Sequence, residues 1–227
     1  MTPPVTCLHY PAPAGGAQTL LIMLPGAGSN AQDFAANAMI AAAHEAAPDI
    51  DIIVAAPDIA LYLEDGVTEI LHRIVVEPAL ARGITRIWLL GISLGGMGAL
   101  LYARAYQQHI EGLFLLAPFL GTKGTVAELT RAGGLLRWSP AGSKATIPEQ
   151  NLLTWLQSRL TADETAPALY LGYAAQDRFS PAHKMLAACL PPQRVAHIEG
   201  DHDWPSWRAL WRQLLAFSSF PGRAKAQ

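Results

Sequence analysis

Short runs of apolar residues alternate along the chain with longer segments that are amphipathic or rich in alanine. Most of these runs are apolar at nearly every position, which is typical of parallel strands buried on both faces of a sheet. The predicted strands are 19–24, 51–56, 86–91, 112–117, 168–173 and 194–198. The predicted helices between them are 32–47, 66–82, 94–108, 181–189 and 205–217. This alternation indicates βαβ units and a parallel sheet flanked by helices.

The segment 118–166 breaks the alternation, because it contains no predicted strand. Short helices are predicted near 125–132 and 149–160. A loop of this length without secondary structure is uncommon in a compact domain, so we expect a small helical insertion within a single domain, 1–227. Two interpretations stay open, a decorated crossover between strands and a cap that covers a site.

The composition excludes several classes of protein. With 51% hydrophobic and 15% charged residues, the chain has the apolar content of a large buried core and not that of a disordered protein. A net charge of −2 provides no basic excess to neutralise phosphates, so a nucleic-acid partner is not expected. The two cysteines, Cys7 and Cys189, form neither a disulfide framework nor a metal-ligand spacing.

The sequence shows no signal for secretion or membrane insertion. Residues 1–10 lack the basic and apolar regions of a signal peptide. The longest apolar stretch, 112–121, is about half of the roughly 20 residues that a membrane-spanning helix needs. We therefore expect a cytoplasmic protein with no membrane partner. Because the histidines and cysteines show no metal-ligand spacing, we also expect no metal. No cofactor is expected, and the oligomeric state stays open.

The motif Gly91-Ile92-Ser93-Leu94-Gly95 lies between a predicted strand and a predicted helix. A nucleophilic serine must be held on a sharp strand-to-helix turn, and glycines two residues away on either side permit that turn. The start of the helix then offers free amide hydrogens to a developing oxyanion. Outside this context the motif would be a glycine-rich turn with an incidental serine, but the flanking elements favour a nucleophile.

A serine nucleophile needs a base, and the base needs a group that orients it. Of the seven histidines, His202 alone lies just beyond a predicted strand near the end of the chain, and Asp177 follows the preceding strand. Active sites in open parallel sheets gather at the carboxyl ends of the strands. This position favours His202 as the base and Asp177 as the acid.

Asp201 and Asp203 are alternative acids, because they flank His202 in the sequence. Neighbouring residues rarely reach each other's ring nitrogens without strain, and the acid must approach Nδ1 while Nε2 faces the serine. Asp203 precedes a Trp-Pro pair that opens a predicted helix, so N-capping is its expected role. The sequence thus leaves three candidate acids and favours Asp177.

The turn Pro25-Gly26-Ala27-Gly28 closes the first strongly apolar strand. It could present the Ala27 amide to the same oxyanion from the opposite side. A plain glycine-rich turn and a phosphate cradle are the alternatives. No Gly-Lys-Ser/Thr follows and no dinucleotide fingerprint is present, which disfavours the cradle.

Together these motifs resemble a single-domain α/β-hydrolase of the serine esterase kind, in which the triad follows the chain order Ser, Asp, His. The ending 200–207 is similar to the Gly-His-Asp-Trp…Trp endings of carboxylesterases in the esterase D-like branch. The resemblance covers most of the chain. It implies that Ser93 is the nucleophile, His202 the base and Asp177 the acid. It also implies an oxyanion hole formed by the amides of Ala27 and Leu94.

The chain departs from the family pattern in two places. The usual His-Gly before the oxyanion residue is Pro25-Gly26 here, and only about 18 residues precede the first strong strand. We therefore expect a mostly parallel sheet of about six or seven strands instead of eight.

The expected activity is hydrolysis of a small-molecule carboxylic ester through an acyl-enzyme. The alternatives are a thioesterase or acyltransferase that acts on an acyl carrier, and a catalytically dead binding protein on the same scaffold. The segment 118–166 is expected to cover the acyl site. Phe119, Trp138 and Trp204 are candidates for the substrate pocket, although aromatic residues lie more often in the core.

Overall fold

The structure is a computed structural model that describes residues 5–63, 66–161 and 167–221. Its strands are β1 (Val5–Tyr10), β2 (Thr19–Leu24), β3 (Ile50–Pro57), β4 (Arg86–Ile92), β5 (Ile110–Leu116), β6 (Ala168–Ala174) and β7 (Val195–Ile198). They form one seven-stranded sheet in the order β1-β3-β2-β4-β5-β6-β7. The pair β1–β3 is antiparallel and all other neighbours are parallel.

Helices connect most of these strands. They are α1 (Asp33–Ala36), α2 (Met39–Ala46), α3 (Ile59–Leu63), α4 (Val67–Leu71), α5 (Glu77–Ala81), α6 (Leu94–Ala105), α7 (Lys123–Ala132), α8 (Ile147–Thr161), α9 (Ser180–Ala187) and α10 (Trp204–Phe217). Short 3-10 helices span Gln107–His109, Leu135–Arg137 and Pro192–Arg194. In the part of the chain that the structure describes, no helix has the length and apolar character needed to cross a membrane.

The sheet separates two hydrophobic cores. Leu20 and Ile22 of β2 belong to the core shared with helices α3 to α9, whereas Leu21 and Met23 belong to the core shared with α1, α2 and α10. Every residue of β2 is buried. Covering of both faces explains why the central strands are continuous apolar runs, as the sequence analysis assumed.

The predicted strands are confirmed to within two residues at each end, but β1 was not predicted. This strand lies at the sheet edge, and only Val5 of its six residues is buried. An edge strand with polar side chains lacks the apolar run by which the other strands were recognised. The stretch around His9, for which the sequence analysis predicted no strand, is therefore part of the sheet.

Two predicted helices differ from the structure in detail. The helix 32–47 is divided into α1 and α2, because Ala38 between them has φ 57° and cannot continue a right-handed helix. The helix 66–82 is confirmed as α4, a π-helical turn (His72–Val76) and α5. Pro78 has no amide hydrogen to donate, which accounts for the shifted hydrogen bonding before it.

The segment 118–166 contains α7, a 3-10 turn and α8, so the predicted helical insertion is present as secondary structure. Its last residues, 162–166, lie outside the described residues. Leu129 of α7 and Leu152 of α8 belong to the same core as α6 and α9. The segment therefore packs on one face of the sheet.

Candidate active site

Ser93 lies in the turn between β4 and α6 with φ 52° and ψ −114°. A positive φ costs free energy for a residue with a side chain, so surrounding contacts must hold it. The Ser93 amide donates to the carbonyl of Leu116 at 3.0 Å, and the Ser93 carbonyl accepts from the amides of Gly96 and Phe119, each at 2.9 Å. These bonds tie the turn to the end of the neighbouring strand, β5.

The two outer glycines of the motif are required by close backbone contacts. A Cβ at Gly91 would lie 2.2 Å from the carbonyl oxygen of Gly95, and a Cβ at Gly95 would lie 2.1 Å from that of Leu24. Both neighbours are backbone atoms of packed elements, so a side chain at either position would force the turn apart. The spacing of glycines around Ser93 is thus a packing requirement.

The side chains of Ser93, His202 and Asp177 form one hydrogen-bonded chain. His202 Nε2 lies 2.9 Å from Ser93 Oγ, and His202 Nδ1 lies 2.7 Å from Asp177 Oδ2. The other oxygen of Asp177 accepts from the amide of Phe179 at 2.7 Å. The Asp177 side chain is completely covered, and that of His202 is 14% exposed. The three residues come from turns after β4, β6 and β7, as the sequence analysis expected.

The pKa of Asp177 lies below its usual value. Burial alone would raise this pKa, but the hydrogen bonds from His202 and from the Phe179 amide favour the carboxylate and outweigh burial. A depressed pKa means that these contacts stabilise the fold above about pH 4, the ordinary pKa of the unfolded chain. That contribution is lost as the pH falls through the lowered value.

Asp201 and Asp203, the two alternative acids, are placed differently. Asp203 accepts a hydrogen bond from the amide of Ser206 at 3.0 Å and is the N-cap of α10, as predicted. The Asp201 amide donates to Ser206 Oγ at 3.1 Å. Within the described residues, neither carboxylate is hydrogen-bonded to His202.

The loop after β2 lies against the serine turn. A Cβ at Gly26 would lie 3.3 Å from Ser93 Cβ, and the amide of Ser29 donates to the Gly26 carbonyl at 3.1 Å. Leu94 is the first residue of α6, so its amide has no partner within the helix. Among the described residues, the amides of Ala27 and Leu94 donate no hydrogen bond to the protein.

Two aromatic residues that the sequence analysis did not assign to the site enclose the imidazole. The rings of Phe179 and Trp207 meet His202 edge to face, with ring centroids 5.1 Å apart in both cases. Trp207 belongs to the ending 200–207 that carried the family resemblance, so the sequence could have indicated that it lies at the site. Phe179 follows the acid by two residues in a turn, where hydrophobic periodicity indicates nothing.

His183 is a further buried residue beside the site. Its side chain is inaccessible to solvent, and its Nε2 lies 2.9 Å from the carbonyl oxygen of Pro118. Burial lowers the pKa of His183 and keeps the ring neutral, so Nε2–H donates this bond. His183 thereby ties α9 to the strap 117–119, in which Ala117 has φ 47°.

A cavity of about 410 Å³ is lined by Leu94, which follows Ser93 in the chain, and by Phe119, whose amide binds the Ser93 carbonyl. Its other walls come from α3, from α6, and from the segments 120–122 and 146–152. More than half of the lining residues belong to the segment 118–166. Among them are Phe119, one of the candidates for the substrate pocket, and several aliphatic side chains.

Two of the three aromatic residues expected in the pocket do not line this cavity. Trp138 is buried, and its indole nitrogen lies 3.5 Å from Glu128 on α7, beside a separate surface groove. Trp204 packs edge to face on Phe34 of α1, at 5.5 Å between centroids, and on Trp207. Both residues pack against helices, which is the more common role of aromatic side chains.

The sheet order, with the Ser93 turn at the end of its central strand, is that of an α/β-hydrolase. The chain belongs to the α/β-hydrolase family described as serine aminopeptidase, S33, whose sequence model matches residues 53–166, half of the chain. The matched region includes Ser93 and ends before Asp177 and His202. No curated protein matches the chain in sequence.

Solved structures of hydrolases share the fold. S-formylglutathione hydrolase FrmB from Staphylococcus aureus is 17% identical with a TM-score of 0.62, over 88% of this chain and 80% of its own. Est1E from Butyrivibrio proteoclasticus is 17% identical with a TM-score of 0.61, over 93% and 91%. The thioesterase domain of the curacin biosynthetic pathway is 11% identical with a TM-score of 0.53, over 93% and 95%. At these identities the likeness concerns the fold.

Replacing His183 tests the link between α9 and the strap 117–119. His183→Leu leaves the buried Pro118 carbonyl without a donor, which costs about 1–3 kcal/mol of unfolding free energy. His183→Gln retains an N–H donor at a similar reach and should lose less. Urea unfolding of the two variants gives the comparison, and equal stability of His183→Leu and the wild type would contradict the assigned bond.

Proposed function

We propose that this protein is a serine hydrolase that cleaves carboxylic esters through an acyl-enzyme, with Ser93 as nucleophile, His202 as base and Asp177 as acid. The observation that carries the proposal is the continuous hydrogen-bonded chain from Ser93 Oγ through the imidazole to a buried carboxylate. Such a chain activates a hydroxyl that is otherwise a weak nucleophile at neutral pH.

In the acylation step, His202 Nε2 accepts the hydroxyl proton as Ser93 Oγ attacks the ester carbonyl carbon. The carbonyl oxygen becomes negative, and the unpaired amides of Ala27 and Leu94 donate hydrogen bonds to it. The imidazolium then gives its proton to the leaving alcohol, and the acyl group remains on Ser93. The loss of one oxyanion donor costs roughly 2.7–4 kcal/mol in enzymes of this kind.

In the deacylation step, a water molecule takes the place of the alcohol. His202 accepts a proton from this water as it attacks the acyl-enzyme, and the proton returns to Ser93 Oγ when the acid leaves. Asp177 stays ionised throughout, since its pKa is depressed. It keeps Nδ1–H facing itself, so that Nε2 is free to act as the base.

The cavity beside Leu94 and Phe119 is proposed to hold the acyl group, and the segment 118–166 to act as its cover. Its lining is mainly aliphatic and aromatic, and its volume of about 410 Å³ suits small or medium apolar acyl groups. The substrate is accordingly proposed to be a small-molecule ester or thioester.

Three other activities use the same machinery or scaffold. A thioesterase would release an acyl group from a thiol, as the name of the curacin domain states for that protein. An acyltransferase would form a new ester when offered an alcohol, and an amidase would fit the description of the family. Matched esters, thioesters and amides of one acyl group, assayed with and without added alcohol, separate these activities. A binding protein would turn over none of them.

Ser93→Ala tests the proposal directly. The change removes one hydroxyl and leaves the fold intact, so ester hydrolysis should fall by about a thousandfold or more. Labelling by a fluorophosphonate probe should disappear. Mass spectrometry of the labelled wild type should place the adduct on Ser93. Undiminished turnover in the variant would rule out Ser93 as the nucleophile.

Asp177→Asn and Asp203→Ala should behave in opposite ways. The first change removes the charge that orients and stabilises the imidazolium, and kcat should fall by about 10⁴-fold with a small change in Tm. The second removes the N-cap of α10, which costs about 0.5–2 kcal/mol of stability and leaves kcat close to that of the wild type. Kinetics and thermal melts test both variants. The reverse pattern would assign the acid to Asp203.

Filling the cavity should change the acyl preference. Met97 of α6 lines the cavity, whereas Met185 of α9 lines a different surface groove. In Met97→Trp the larger side chain occupies the space of the longer acyl chains. We therefore expect kcat/KM for p-nitrophenyl hexanoate and octanoate to fall about tenfold or more relative to kcat/KM for p-nitrophenyl acetate. The control Met185→Trp should keep the wild-type ratios. An unchanged preference in Met97→Trp would place the acyl group elsewhere.

A further inference from the structure

Among the described residues that line the mainly apolar cavity, Glu149 provides the one ionisable carboxylate. It contacts Thr122, which follows Phe119 by three residues in the cavity wall, and we take this as the end remote from Ser93. A Cβ at Gly121 would lie 3.2 Å from Glu149 Oε1. Glu149 therefore packs closely on the 121–122 backbone and makes this part of the cavity wall polar.

Glu149 joins the first turns of the two helices in the insertion. Its Oε1 accepts from the amide of Thr122, the N-cap of α7, at 2.6 Å. Its Oε2 accepts from the amide and the hydroxyl of Thr146, at 2.8 and 2.9 Å, in a capping box at the start of α8. The carboxylate is thus fixed in place, and substrate cannot displace it without breaking both caps.

Glu149 is ionised in the working pH range of a hydrolase. Burial raises its pKa, but the hydrogen bonds from Thr122, Thr146 and Thr125 outweigh burial and hold the pKa below the usual value. In the described part of the chain, no lysine or arginine forms an ion pair with it. The charge is therefore neutralised only by hydrogen bonds and by the positive ends of two helices.

We propose that Glu149 makes this cavity selective by charge: it accepts acyl groups with a neutral or cationic end and rejects those that end in a carboxylate. Capping requires only hydrogen-bond acceptors, whereas rejection of an anion requires the charge itself. An acyl group that fills the cavity brings its end close to Glu149, and a carboxylate at that end is repelled by the like charge. The proposal rests on the proposed function, since it takes the cavity to be the acyl site.

The experiment uses p-nitrophenyl half-esters of dicarboxylic acids from succinic to suberic acid. Each is paired with the half-amide of the same length, which has the same shape and no charge. In the wild type, kcat/KM for the longer carboxylates should be about tenfold or more below that of the amides. The shortest pair should differ less, because its end does not reach Glu149. Added salt should narrow the difference, and a trimethylammonium end should be accepted.

Three variants assign this discrimination to the charge of Glu149. Glu149→Gln should bring the carboxylate and amide series to within about threefold of each other. Thr146→Ala weakens the same capping box but keeps the charge, so it should retain the discrimination. Glu128→Gln changes another carboxylate in the insertion, which binds Ser143 and the Lys144 amide outside this cavity and should also retain it.

The outcomes separate this inference from the proposed function. Equal rates for both series in the wild type, or discrimination that persists in Glu149→Gln, would overturn the role of Glu149. The assignment of the cavity to the acyl group would be overturned if esters with a charged acyl group showed no discrimination while esters with the carboxylate on the alcohol portion did. Hydrolysis of p-nitrophenyl acetate and fluorophosphonate labelling of Ser93 would still support the function in either case. If the wild type neither hydrolysed p-nitrophenyl acetate nor reacted with the fluorophosphonate probe at Ser93, the proposed function itself would be overturned.

Discussion

The close approach of three backbone segments at Ser93 is the constraint on which the rest of the site depends. The end of β4, the start of α6 and the end of β2 meet where Gly91, Gly95 and Leu24 leave no space for a further side chain. This packing holds Ser93 at φ 52°, and its hydroxyl lies 2.9 Å from His202 Nε2. The strain is offset by hydrogen bonds from neighbouring turns, because a single turn could not hold it alone.

The same contact explains why the other groups of the site lie on loops after adjacent strands. Since β2 and β5 flank β4, the loop at Gly26 and the strap 117–119 necessarily lie on either side of Ser93. The strap is held by the Phe119 amide on the Ser93 carbonyl and by His183 on the Pro118 carbonyl. His183 belongs to the helix that follows the Asp177 turn, so the serine and acid sides of the site share one buried hydrogen bond.

Hydrophobic periodicity was enough to predict the central strands, and motif spacing pointed to Ser93, Asp177 and His202, which the structure joins by hydrogen bonds. Both signals are local in the sequence. The order of the strands in the sheet then brings the turns that carry these three residues close together. The pocket could not be predicted in this way, because Phe119 lines it while Trp138 and Trp204 pack on Glu128 and Phe34. Which face an aromatic residue presents depends on the packing of α1, α7 and α8, and nothing in the local sequence encodes that packing.

Under the proposed function, the residues that perform the chemistry and those that select the substrate lie on different parts of the fold. The hydrogen-bonded chain from Ser93 to Asp177 comes from turns of the sheet, where a shift of one atom disturbs several backbone bonds. Part of the cavity wall comes from the starts of α7 and α8, and in the described part of the chain the carboxylate of Glu149 joins them. A sequence change there alters the size or charge of the cavity and leaves the serine turn untouched. Under the proposed function, these two helix starts are therefore where substrate preference can change most easily while the catalytic geometry is kept.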